Sequence, residues 1–190
     1  MPDDGRTQRE RMLAGDLYVA DDPQLAAESL RARRLMEVFN GSPADDAAGR
    51  RAILTELLAA LGEDTEIRPP LYCDYGYHVS VGARTFVNFG LTALDVAPIT
   101  IGDDVQIGPH VQLLTPTHPT AAGLRRDKWE AALPIVVGDN VWLGGVVVVL
   151  PGVTIGADTV VGAGSVVARD LPAGVVAVGN PARVTRTVEP

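Results

Sequence analysis

Two spacings of apolar residues divide the chain. Between residues 9 and 61 they recur at helical intervals: Ala32, Leu35, Met36 and Phe39 follow i, i+3, i+4, i+7, and Leu54, Leu57, Leu58 and Leu61 repeat the pattern. Asp22-Pro23 and Ser42-Pro43 read as helix starts, because a short polar side chain accepts from free first-turn N–H groups and proline's fixed φ suits the first turn. Gly41 and Gly62 stand where such helices stop. From about residue 80 the interval becomes six, which neither an amphipathic helix nor an alternating strand sustains. The second half runs VGDNVW, LGGVVV, VLPGVT, IGADTV, VGAGSV and VARDLP without a break from Val137 to Pro172. VGARTF from Val81, and IGDDVQ with IGPHVQ from Ile101, obey the same rule, the phase being reset by two residues near Pro98.

The first hexad position holds Val137, Leu143, Val149, Ile155, Val161 and Val167, and the next is usually glycine. The pattern predicts one short strand and one turn per hexad, with the aliphatic residue pointing inward and glycine supplying backbone freedom at the corner. Val141, Val147, Val153, Thr159 and Ser165 fill the fifth position with the small or β-branched side chains that a narrow interior requires. Three hexads close a triangular coil, and coils stacked about 4.8 Å apart pair as parallel strands. The expected fold is mainly β: a parallel β-helix of hexapeptide repeats over residues 66–190, with an N-terminal helical cap over residues 1–65. A period of six does not fix the hand, since parallel crossovers are ordinarily right-handed. Between Leu113 and Pro134 the hexads dissolve into LLTPTHPTAAGLRRDKWEAALP, an extended loop over 115–133. Long interruptions of compact repeats commonly carry function.

A net charge of −8 disfavours nucleic acid or an anionic membrane as the partner and favours a small molecule. The single cysteine, Cys73, cannot form an internal disulfide, and MPDDGRTQRE lacks the apolar stretch of a signal peptide. Val146–Leu150 is far too short to cross a bilayer. A cytoplasmic protein is expected. GAGSVV at 162–167 lacks the third glycine of a dinucleotide loop and belongs to the repeat.

Of the three histidines, His110 lies within a hexad and His78 just before the first clear one, whereas His118 lies in the interruption, in TPTHPT. An imidazole titrates near neutrality and suits a general base. There is no G-x-S-x-G elbow, and Cys73 reads as a buried apolar thiol. Residues 134–190 contain only Arg169, Arg183 and Arg186 as cations. Guanidinium groups form strong charge-assisted bonds with phosphate, although surface arginines also serve solubility. Trp142, beside Gly144-Gly145, either walls a ligand channel or is a corner aromatic.

AGDLY, RARRLMEVFN, CDYGY at 73–77, VNFG at 87–90, LDV at 94–96, THP at 117–119, VGDNVWLGG at 137–145, PGVTIG at 151–156 and GNPARV at 179–184 together resemble the maltose and galactoside O-acetyltransferases among the hexapeptide-repeat acyltransferases. The resemblance covers nearly the whole chain. It implies left-handed coils, a homotrimer with active sites between subunits, acetyl-CoA as co-substrate and a sugar acceptor of maltose or glucose type. It further implies direct transfer, with His118 as general base, Asn88 bonding the acceptor, and Asp74 and Asp95 along the sugar pocket. Cofactor contacts are implied at Trp142, Gly145, Ala163, Ala168, Arg169, Arg183 and Arg186, the Gly145 N–H being a candidate oxyanion donor. Where galactoside enzymes carry an acceptor-binding aspartate this chain has Ala20, with Asp21 and Asp22 nearby but out of register. Other readings are an acetyltransferase for an antibiotic or another alcohol, a non-catalytic scaffold, and a γ-type carbonic anhydrase with zinc on three histidines. Against the last, His110 and His118 are eight residues apart instead of in a His-x4-His pair.

Overall fold

A computed structural model describes residues 5–189. α1 (Gln8–Leu13) opens on a reciprocal cap: Thr7 Oγ1 accepts from Glu10 N (3.1 Å) and Thr7 N donates to Glu10 Oε2 (2.8 Å). α2 (Pro23–Asn40) starts and stops as the sequence implies, with Asp22 accepting from Gln24 N and Leu25 N, and Gly41 closing it. α3 (Ala47–Leu57) departs from expectation. Asp46, not Ser42-Pro43, caps it by accepting from Gly49 N (2.8 Å), and it ends at Leu57. Leu58 is already extended and Leu61 belongs to a strand, yet both join the same apolar core, so burial rather than helix explains their spacing.

The remainder winds into a three-sided parallel β-solenoid. Face one stacks strands 60–61, 79–81, 99–101, 135–137 and 154–155; face two stacks 66–67, 86–87, 106–107, 142–143, 160–161 and 175–179, with an antiparallel last strand, Ala182–Thr187. Face three stacks 71–73, 91–94, 112–114, 148–149 and 166–167. The first-position residues Val137, Leu143, Val149, Ile155, Val161 and Val167 are at most 1% exposed. Each such aliphatic side chain contributes about 1.5–3 kcal/mol on burial. Fifth positions also face in, and their hydroxyls are satisfied: Thr159 Oγ1 donates to Pro172 O of the next rung (2.8 Å), and Ser165 Oγ donates to Gly162 O of its own hexad (2.6 Å) while accepting from Gly179 N of the next rung (3.0 Å). Met36, Phe39, Leu54 and Leu57 pack into the same core.

Two details correct the sequence reading. Six-residue spacing begins before residue 80, since Leu61, Ile67 and Cys73 already occupy first positions; two of them lack a following glycine, which hides the register. The second-position glycines do not supply left-handed backbone. That conformation falls at the fourth position, at Arg84, Asp104, Asn140 and Asp158 among others. Glycine is needed because rungs touch there: a Cβ on Gly144 would lie 2.6 Å from Ala163 N, and one on Gly138 2.7 Å from Ala157 N.

All extra chain leaves the prism at one edge. Val136 pairs with Thr154, eighteen residues on, which is three hexads. Ala60 pairs with Ser80 and Ser80 with Thr100, each twenty on, while Thr100 pairs with Val136, thirty-six on. The additions fall where face three returns to face one, at residues 74–78, 95–98 and 115–134. We call this the third corner, the first joining faces one and two, and the second joining faces two and three. The longest addition is ordered: Trp129–Ala132 pairs antiparallel with both Pro116–Thr117 and Tyr18–Val19, and a short helix α4 (Ala122–Arg126) lies between. Arg125 Nη1 donates to Pro119 O (3.0 Å) and Thr120 O (3.1 Å), tying down the chain after His118.

Candidate active site

Asp95 organises the third corner. Its Oδ1 accepts from Asp74 N and Tyr75 N (both 2.9 Å), its Oδ2 from His78 N (3.2 Å), and its carbonyl from His78 Nδ1 (2.8 Å). Burial lifts its carboxyl, outweighing the three N–H bonds that lower it. At 0% exposure, with both oxygens committed to backbone, Asp95 supports the corner and does not face a ligand, a correction to the acceptor contact expected of it. Asp74 is half-buried, and its carboxyl has no hydrogen-bond donor among the described residues. Burial first, then the Asp95 and Glu130 carboxylates, lift it to about 6. Asp74 lines a cavity of about 310 Å³ with Tyr18, Ala20, Arg33, Tyr75 and Glu130.

His118, its side chain 57% exposed, borders an adjoining cavity of about 650 Å³ with Ala20, Asp21, Arg125, Lys128 and Glu130. Ala20 and Glu130 line both cavities, which are therefore neighbours. Asp22 is committed to the α2 cap, so of the Asp21-Asp22 pair it is Asp21 that lines this space, with Asp127 and Glu130. Glu130 and Tyr18 were not singled out by sequence reasoning. They meet because their strands are cross-paired, Tyr18 opposite Glu130. The only sequence signal for Glu130 was its place in the same interruption as His118. Burial and then the Glu130 carboxylate push the Tyr18 phenol up, so it stays protonated beside Glu130.

Asn88, Gly145 and Ala163 lie instead at the second corner. Asn88 Oδ1 accepts from Phe89 N (2.8 Å). Third-position N–H groups point out of the prism, and at the first corner aspartates of the next rung cover them: Ala83 N donates to Asp103 Oδ1 (2.7 Å) and Asp103 N to Asp139 Oδ1 (2.9 Å). At the second corner Gly144 N and Val146 N bond to Val161 O and Pro109 O (both 2.8 Å), but Gly145 N between them has no acceptor among the described residues. Small residues and an open N–H fit a narrow acyl carrier lying against this edge. Val146 is left-handed (φ 62°) and 54% exposed, an unfavourable state for a β-branched residue.

The other expected contacts are dispersed. Ala168 and Arg169 are exposed beyond strand 166–167, at the third-corner end of face three, and Arg183 and Arg186 are exposed on the last strand of face two. Trp142 projects from face two, 56% exposed, toward a cavity of about 540 Å³ shared with Asn140 and Asp158 of the first corner, not toward Gly145. His110 holds an exposed left-handed position at the second corner, apart from His78 at the third. Among the described residues no three His, Cys, Asp or Glu side chains gather for a metal ion, and no helix is long and apolar enough to cross a membrane. Burial pushes the Cys73 thiol up, leaving it a packing residue.

Known proteins agree with this architecture. Residues 11–62 match the maltose acetyltransferase hexapeptide capping motif and residues 134–169 the bacterial transferase hexapeptide (six repeats). Nodulation protein L of Rhizobium meliloti (strain 1021) is 46% identical over 94% of this chain and 98% of its own. A maltose O-acetyltransferase from Clostridium difficile 630 superposes with a TM-score of 0.95 at 42% identity, covering 97% of this chain and 99% of that one. A galactoside acetyltransferase solved with coenzyme A superposes with a TM-score of 0.93 at 40% identity, covering 100% and 92%. The solenoid is the left-handed parallel β-helix of these structures. By sequence and by fold, the chain belongs to the maltose and galactoside O-acetyltransferase family of hexapeptide-repeat acyltransferases.

Proposed function

We propose that this O-acetyltransferase moves the acetyl group of acetyl-CoA directly onto a sugar hydroxyl, of maltose or glucose type, with His118 as general base. The observation that carries the reading is the position of His118: it borders a cavity that shares Ala20 and Glu130 with a neighbouring one lined by Asp74, whose carboxyl has no donor among the described residues and can accept from sugar hydroxyls. Acetyl-CoA supplies an activated thioester. His118 takes the proton that a sugar hydroxyl must lose before it can attack. Gly145 N–H is free to donate a hydrogen bond to the carbonyl oxygen as negative charge develops on it. Asn88 bonds the acceptor, and Ala163, Ala168, Arg169, Arg183 and Arg186 hold the carrier, the arginines through its phosphates.

His118 and Asp74 lie at the third corner and Asn88, Gly145 and Ala163 at the second, separated by a face about four residues wide, roughly 13 Å. A homotrimer that packs the third corner of one copy beside the second corner of the next would bring the two together. Sedimentation giving a monomer at assay concentration would refute that assembly. His118→Ala is expected to lower turnover by roughly 10²- to 10⁴-fold with little change in stability. Thiol release from acetyl-CoA, measured across a panel of maltose, glucose, galactosides and non-sugar alcohols, tests both base and acceptor. An unchanged rate in the variant removes His118 from the mechanism, and a preferred non-sugar alcohol removes the sugar.

A further inference from the structure

We propose that Glu130 positions the His118 imidazole and stabilises its protonated form, so that base and carboxylate act as a pair; the role rests on His118 being the base. Three observations converge on it. Glu130 Oε2 lies 4.0 Å from His118 Nε2, and it is the one carboxylate within ion-pair reach of that ring among the described residues. Its side chain is only 16% exposed against 57% for His118, so the carboxylate is the enclosed partner and the imidazole the one in solvent. Its backbone is held as well: Trp129–Ala132 is paired on both edges, and Tyr18 sits directly opposite Glu130.

A separation of 4.0 Å is an ion contact and not a hydrogen bond. Rotation of the exposed imidazole closes it. Other charged groups face the same space: Asp21 beyond Tyr18–Val19, and Arg125, Asp127 and Lys128 on and after α4, while Asp74 flanks the far side of Glu130. Arg125 is already occupied by the Pro119 and Thr120 carbonyls. The acceptor O–H gives its proton to the imidazole nitrogen turned away from Glu130, and its oxygen bonds the thioester carbonyl carbon. The C–S bond then breaks, and the imidazolium returns the proton to the departing thiolate, leaving an ester and a thiol. Between those two proton movements the ring is cationic. That is when an enclosed carboxylate against its other nitrogen lowers the barrier, and the same contact selects the tautomer that starts the reaction.

Glu130→Gln tests the pair, because the amide keeps the size of the side chain while losing its charge. A neutral imidazole is the active form, and a facing carboxylate favours the charged form, so its removal moves the acid limb of the kcat–pH profile to lower pH. The displacement is read directly from the acid limb of the two kcat–pH profiles, and because His118 is largely in solvent it is expected to be smaller than for a buried pair. The plateau kcat is expected to fall on the order of tenfold, a fraction of the general-base contribution, with the KM for acetyl-CoA and the melting temperature unchanged. Glu130→Asp, which keeps the charge, is expected to leave the limb in place and lower kcat less. A Gln variant with the parent's limb and plateau, beside an inactive His118→Ala, overturns the pairing and leaves His118 as base. An active His118→Ala overturns both. If the Gln variant does not fold, the Asp variant decides: a limb displaced although the charge is retained refutes the electrostatic role.

Discussion

Replacing Asp74 by asparagine isolates the cost of keeping a charge at the third corner. Burial, followed by the neighbouring Asp95 and Glu130 carboxylates, moves the Asp74 carboxyl from 3.8 to about 6. The native state therefore holds this proton more tightly than the unfolded chain does. Stability falls as pH rises through the interval between the two values, and the deficit is complete above it. A displacement of that size sets a ceiling of about 3 kcal/mol, of which roughly a third has developed near pH 4.5. Because Asp74 is only half-buried and water screens part of the repulsion, about 1–2 kcal/mol is the expected value at pH 8. Asparagine has the same shape and no charge. Urea denaturation of both proteins at the two pH values is expected to show the variant more stable at pH 8, with the gap narrowing sharply at pH 4.5. A gap of equal size at both pH values, or a less stable variant at pH 8, would refute the electrostatic account. The acetyl-transfer assay on the same samples is expected to show a raised KM for the acceptor and an unchanged KM for acetyl-CoA, the mark of a site that trades stability for binding.

Two substitutions test the construction of the prism. Gly144→Ala drives a methyl group against the backbone of Ala163 in the next rung, and is expected to cost about 1–3 kcal/mol or more in denaturant titrations; a loss below experimental error would show that the rungs yield there. Val146→Gly relieves a left-handed β-branched residue that buries little, and a gain of about 1 kcal/mol is expected after glycine's own entropy is deducted. A lower melting temperature in that variant would mean that Val146 makes contacts outweighing its strain.

The fold was legible where one interaction repeats. First and fifth hexad positions read correctly because each is buried identically in every rung, from Val137 through Ser165. The first turns were harder, since Cys73 and Ile67 carry no following glycine and the corner at 74–78 adds two residues. Leu58 and Leu61 misled because a helix and a strand can bury residues three and four apart in one core. For the site, His118 stood out by breaking the period. Glu130 and Tyr18 did not, because their proximity is created by antiparallel pairing across more than a hundred residues, which leaves no local trace. Asp95 illustrates the opposite error: sequence placed a carboxylate near the pocket, and only the geometry reveals that backbone amides consume it.

A ladder that must meet its neighbours strand by strand cannot absorb a stray residue on its faces, yet here one edge has taken up additions of very different length with the rungs on either side still aligned. That edge acts as a hem, where cloth is let out without altering the weave. Exchanging the excursion between Leu114 and Pro134 for a differently shaped one is therefore expected to retarget the enzyme while the column and its carrier groove stay as they are.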